Sequence, residues 1–182
     1  MNGRGSPGVM KRTLEDLAKL SNKELSRLFD AGTTPDTDKL VGWELRGFNK
    51  PFVTKLGGFQ KFKKGFYLKS GEVWGYNIPV VQGKVTEPWK CLPEDDAPKR
   101  FGFYRVRRAE SGDKEPGALL LDYSEGHNRL WEGSFLRDYL RQVDANNDDL
   151  YLGKAYSALA GAQIAPTFFI VERHRPAPRT LD

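Results

Sequence analysis

Between residues 40 and 173 the chain repeats one local pattern: a short run of aromatic and β-branched residues, then a cluster of turn formers. The runs fall at 40–46, 66–68, 73–76, 101–106, 118–123, 150–156 and 167–173. Between them lie Ser70-Gly71, Pro93-Glu94-Asp95-Asp96, Ser111-Gly112-Asp113, Glu125-Gly126-His127-Asn128 and the polar stretch 144–149. Aromatic and β-branched side chains suit a pleated, half-buried surface. Strands punctuated this way, with no helices alternating between them, predict an antiparallel meander closed as a barrel or sandwich. Residues 135–143 fit two periods. Leu136, Tyr139, Leu140 and Val143 match a helix, whereas Phe135, Tyr139 and Val143 share one strand face. The polar loop and apolar run that follow favour a hairpin. In Phe101-Gly102-Phe103-Tyr104-Arg105-Val106, bulky residues fall on both faces. A sheet with a cavity-lining concave face and a convex face against a helix has this character.

Ahead of the strands, Thr13 with Asp16 and Ser21 with Glu24 have the spacing of capping boxes. Leu25, Leu28 and Phe29 follow at helical intervals, Gly32 ends the pattern and Pro35 prevents its return. Two short helices, or one bent one, are expected over 13–31. Residues 1–12 lack periodicity and read as a flexible arm, and 174–182, with Pro176 and Pro178, as a mobile tail. The segment 13–173 then forms a single β-barrel domain.

A length of 182 residues suits one domain with one substantial core. No apolar stretch approaches the roughly 20 residues that cross a bilayer as a helix. The first ten residues lack the apolar core of a secretory signal, and the single cysteine, Cys91, makes no internal disulfide. Both features fit a reducing compartment, and the cytoplasm is the expected location. The net charge of +5 concentrates at Lys55, Lys61, Lys63, Lys64 and Lys69, and again at Arg100, Arg105, Arg107 and Arg108.

No phosphate-cradling glycine loop, dinucleotide fingerprint, Gly-x-Ser-x-Gly elbow or His-Glu-x-x-His pair is present. Two histidines and one cysteine leave no material for a His- or Cys-rich metal site, so no metal is expected. The Asp144-Ala145-Asn146-Asn147-Asp148 spacing has calcium-loop character, but Asp149 and Ala155 stand where glycine and a bidentate glutamate are required. It reads as a turn. Lys61-Phe62-Lys63-Lys64-Gly65-Phe66-Tyr67 interleaves cations with aromatics, as single-stranded nucleic-acid surfaces do, and equally suits a solvated basic strand edge. His174, ending the last strand, is either exposed or faces a barrel interior, where it could ligate haem iron. The pairs Asp122-Tyr123 and Asp138-Tyr139 each split across two faces of a strand. Asp122 and Asp138 could share a face if their strands pair.

Leu28-Phe29-Asp30, a Pro-containing link and Leu40-Val41-Gly42-Trp43-Glu44-Leu45-Arg46-Gly47 resemble the GXWXG-motif proteins. The stretch from Asp138 to Asp144, Leu152-Gly153 and Phe168-Phe169-Ile170-Val171-Glu172-Arg173 look like the domain of unknown function that follows that motif. Gly42 and Trp43 are adjacent here and Gly47 lies four residues past the tryptophan, a departure from the motif. The resemblance implies a small β-rich domain and carries no activity. The chain is also similar to lipocalin-like (calycin) barrels. That likeness implies that Trp43 on the first strand and Arg173 on the last close the barrel by stacking guanidinium on indole.

The expected fold is mainly β, an antiparallel barrel or strongly curved sheet with the short N-terminal helices over one opening or flank. Barrels of about eight strands enclose space for a ligand, so the expected function is binding of an apolar or aromatic small molecule. Trp43, Phe103, Tyr123, Tyr139 and Tyr156 are the candidate ligand-binding residues, with Gly153 and Ala155 leaving room. An enzyme using the same cavity, with Asp122 or Asp138 as base and a tyrosine as acid, is the alternative, and a nucleic-acid module using 61–69 and 100–108 is another. Whether any reaction is catalysed stays open.

Overall fold

A computed structural model describes residues 11–50, 59–129, 136–157 and 166–181. Lys55, Phe135 and the first ten residues of the expected arm lie outside them. Eight strands follow in chain order: β1 (Trp43–Asn49), β2 (Lys61–Lys69), β3 (Glu72–Pro79), β4 (Phe101–Arg108), β5 (Leu119–Asp122), β6 (Leu136–Gln142), β7 (Leu150–Ser157) and β8 (Thr167–Pro176). Each pairs antiparallel with the next, and β1 pairs with β8, from Trp43 opposite Pro176 to Asn49 opposite Phe169. The sheet is therefore a closed barrel without a free edge. The ambiguous stretch is strand, as the hairpin reading required. The basic stretch is not an edge: β2 begins at Lys61 and lies between β1 and β3.

Because side chains alternate along a strand, each strand offers one set to the barrel interior. Leu45, Phe66, Tyr104, Leu121, Leu140, Tyr151 and Val171 interlock there and fill the half nearer Trp43. Three inward rings lie flat against a glycine directly opposite on the neighbouring strand: Phe62 over Gly47, Tyr104 over Gly75 and Phe169 over Gly153. At Gly153 a β-carbon would stand 2.0 Å from Phe169 Cζ, so the position admits no side chain while the ring stays put.

The two helices, α1 (Leu14–Lys19) and α2 (Asn22–Ala31), each start at a capping box. Thr13 Oγ1 accepts from Asp16 N and Ser21 Oγ accepts from Glu24 N, satisfying amides that a helix start leaves unpaired. Their buried Leu14, Leu17, Leu25 and Phe29 join Leu150, Leu152, Phe168 and Ile170, the outward residues of β7 and β8. The helices cover the flank of the wall, not its opening. The segment 80–99 covers β1, β2 and β3 in the same way: Trp89 Nε1 donates to Gly47 O (3.1 Å), and Cys91 packs with Tyr67, Tyr76 and Ile78. The outward ring of Phe103 meets Tyr76 on this wall and not a helix.

At the Trp43 end the barrel is sealed. Arg173 Cζ stands 4.6 Å from the Trp43 ring centroid, and its guanidinium also reaches Lys39 O and Asp149 Oδ1. The terminal residues, expected to be mobile, are tied across this end instead. Ala177 N donates to Gly42 O (2.9 Å), Leu68 N to Arg179 O (2.6 Å), and Arg179 to Val41 O (3.3 Å). These bonds pair amides and carbonyls that the end of a barrel leaves over, which is why two prolines do not free the tail.

Candidate functional site

Beyond Tyr104 the interior is hollow. A cavity of about 210 Å³ lies in the half away from Trp43, walled by Phe59, Phe62, Phe101, Leu136, Ala155 and Phe169. Its floor is polar. Lys64 of β2 projects inward between Phe62 and Phe66, and its Nζ donates to Asn77 Oδ1 (3.0 Å), Tyr123 Oη (2.5 Å) and Asp138 Oδ2 (3.0 Å). Tyr123, following β5, donates to Asp138 Oδ2 (3.1 Å) and accepts from Asn77 Nδ2 (3.1 Å), which also reaches Gly102 O (3.2 Å). Every proton of the ammonium thus has an acceptor, and the rings of Phe62, Tyr104, Tyr123 and Phe169 surround it at 4.9–5.5 Å.

Burial dominates the electrostatics. Desolvation pulls the Lys64 ammonium below its ordinary pKa, and the Asp138 carboxylate only partly restores it. The Tyr123 phenol is pushed well above its ordinary value, by burial first and then by Asp138 and Tyr104. A carboxylate, a phenol and an amine thus meet within hydrogen-bond reach. One ammonium and one carboxylate leave the cluster without net charge.

Of the residues expected to bind ligand, Tyr123 alone lines this cavity. Trp43 stands in the packed half, against the sealed end. Phe103 points outward, as do Tyr139 and Tyr156, whose rings meet edge to face at 5.5 Å beneath the helices. Ala155 lines the cavity as expected, whereas the space over Gly153 is taken by Phe169. Asp122 and Asp138 do not share a face: Asp138 is opposite Leu121 and turns inward, while Asp122, opposite Arg137, turns outward and pairs with it at 3.1 Å. The inward Asp138 meets Tyr123, a partner from another strand's end and not its chain neighbour.

His174 lies on the outer wall, one residue past inward Arg173, so its imidazole does not reach the interior where haem was considered. Burial and the cations Lys63, Arg46 and Arg175 lower its pKa. Among the described residues no group of three metal-ligating side chains converges. Lys61, Lys63 and Lys64 are only 1%, 1% and 2% exposed and are not available to phosphates. Lys61 Nζ donates to Glu87 O and Pro88 O over the Trp89 ring, and Lys63 Nζ contacts Cys91 Sγ at 3.1 Å. Arg105 pairs with Glu72 and Glu125, and Arg107 with Asp113.

Lys64 and Asn77 were not anticipated. A signal existed in the spacing: Lys64 shares a strand face with Phe62 and Phe66, as Asp138 does with Leu136 and Leu140. An ionic residue centred in an apolar same-face triplet on each of two strands marks a buried pair. Compared with family profiles, curated proteins and solved structures, the chain matches none.

Proposed function

We propose that this barrel reversibly binds a small, largely aromatic molecule in the cavity above Lys64. The observation that supports the reading is the division of the interior: one half is packed solid, and the other is a hollow with apolar walls and a few convergent polar groups on its floor. Such a lining suits a guest with an apolar body and a polar tip. A lipocalin-like architecture, with Arg173 on Trp43 at the sealed end, accords with this use.

The cluster's neutrality favours an uncharged tip. A carboxylate guest would set a second anion beside Asp138, and an ammonium guest a second cation beside Lys64. Native mass spectrometry of protein purified from its source, with calorimetric titration of a panel of monoaromatic alcohols, tests the reading. A co-purifying small molecule or a saturable alcohol site supports it. Ala155→Phe fills the hollow from β7, and binding should then fall by at least about tenfold, roughly 1.4 kcal/mol. Binding unchanged in the folded variant, or no binding of any kind to the parent protein, overturns the proposal.

A further inference from the structure

We propose that Lys64 holds an aromatic aldehyde as a reversible imine, with Asp138 as counter-ion and Tyr123 as proton carrier. This rests on the cavity-binding reading and names the guest's chemical class. Among the residues that line the cavity, Lys64 supplies the one primary amine, and its Nζ sits on the floor where the polar tip of a guest arrives. Asp138 Oδ2, 3.0 Å from that nitrogen, is placed to take its proton, which frees the lone pair for attack. Tyr123 Oη lies 2.5 Å from Nζ and 3.1 Å from Asp138 Oδ2, within reach of both proton donor and acceptor.

The step balances without any other reactant. The Nζ lone pair attacks the carbonyl carbon, the carbonyl π pair moves to oxygen, and one proton passes from nitrogen to that oxygen through Tyr123 to give a neutral carbinolamine. The nitrogen lone pair then forms the C=N bond while the hydroxyl takes the proton held by Asp138 and leaves as water, and nitrogen keeps its last proton. Overall Lys–NH₃⁺ plus R–CHO gives Lys–NH⁺=CH–R plus H₂O, and hydrolysis reverses it. A protonated imine keeps one positive charge beside Asp138, so the ion pair survives the reaction. The rings of Phe62, Tyr104, Tyr123 and Phe169 that surround the ammonium are equally placed around the iminium.

The probe is 4-isopropylbenzaldehyde, added to the full chain at neutral pH and trapped with cyanoborohydride. The expected product carries the aldehyde's mass less one oxygen, once per chain, and peptide mapping places it on Lys64. Labelling there should clearly outpace that of exposed lysines such as Lys23, because burial favours the neutral, nucleophilic amine. Ala155→Phe should abolish the Lys64 label and leave slow surface labelling untouched. Lys64→Arg keeps the charge and removes the nucleophile, and should lose the label. If 4-isopropylbenzyl alcohol occupies the cavity but the aldehyde labels only surface lysines, the imine proposal is overturned and cavity binding stands. If neither compound enters the folded protein, both fall together.

Discussion

At the scale of the residue, the central fact is an ion pair in a place where ion pairs are expensive. The Lys64 and Asp138 side chains are 3% and 7% exposed, and taking two charges from water costs about as much as their attraction returns. Replacing one partner is another matter. Lys64→Met would leave the buried Asp138 carboxylate with the Tyr123 hydroxyl but without its counter-ion, and we expect a loss of about 3–5 kcal/mol in urea unfolding. The double change Lys64→Met with Asp138→Leu should recover most of that. Additive losses would show that the two are not coupled. The spacing of apolar neighbours made this pair legible in principle. The individual tyrosines were harder to place, because Tyr123, Tyr139 and Tyr156 have the same chemistry and only register decides which face each takes. Tyr139 and Tyr156 fell on the outer face, opposite α2, and Tyr123 fell inside.

At the scale of the element, register was obscured because both sides of the wall are covered. Strands β7 and β8 carry the helices on their outer faces, and β2 and β3 carry the segment 80–99, so apolar residues recur at successive positions and alternation fades. The antiparallel closure and the helix starts were readable, since they depend on local turn chemistry and on capping boxes, and Arg173 does stand over Trp43. The cover over Lys61 and Lys63 was not, because a loop returning across a sheet leaves no periodic trace. Glycines opposite aromatic rings are the element-level device that shapes the hollow. Gly153→Ala should lift the Phe169 ring off the wall into the cavity. The expected cost is about 1–3 kcal/mol by chemical denaturation, with weaker binding of monoaromatic alcohols. Unchanged stability would mean that the ring can find room elsewhere.

At the scale of the whole molecule, the seven tyrosines act together. All of them, Tyr67, Tyr76, Tyr104, Tyr123, Tyr139, Tyr151 and Tyr156, have phenols raised above the usual 10.0, with burial as the leading cause. Tyr151 is pushed up to about 12. The unfolded chain therefore releases protons from near pH 10 that the folded chain retains, so stability falls as pH rises from there toward the folded values. Lys64 has the opposite sign. Its lowered pKa makes the charged form costly, a cost that is full below the folded value and gone above 10.5. Burial lowers Lys50 and Lys61 as well, and three lysines against seven phenols leave the alkaline loss dominant. Tyrosinate absorbance should stay low to about pH 10 and then rise together with the loss of circular dichroism. Ionisation that precedes unfolding would show that the rings are open to solvent.

The stitched end beneath Trp43 has one more effect. With its base shut by Arg173 and the returning chain, the hollow works as a blind sleeve and not a tunnel. Under the proposed binding a guest would therefore meet the floor tip first and could not pass beyond it. Depth would then act as a ruler: lengthening a guest tightens its hold only until the floor is reached.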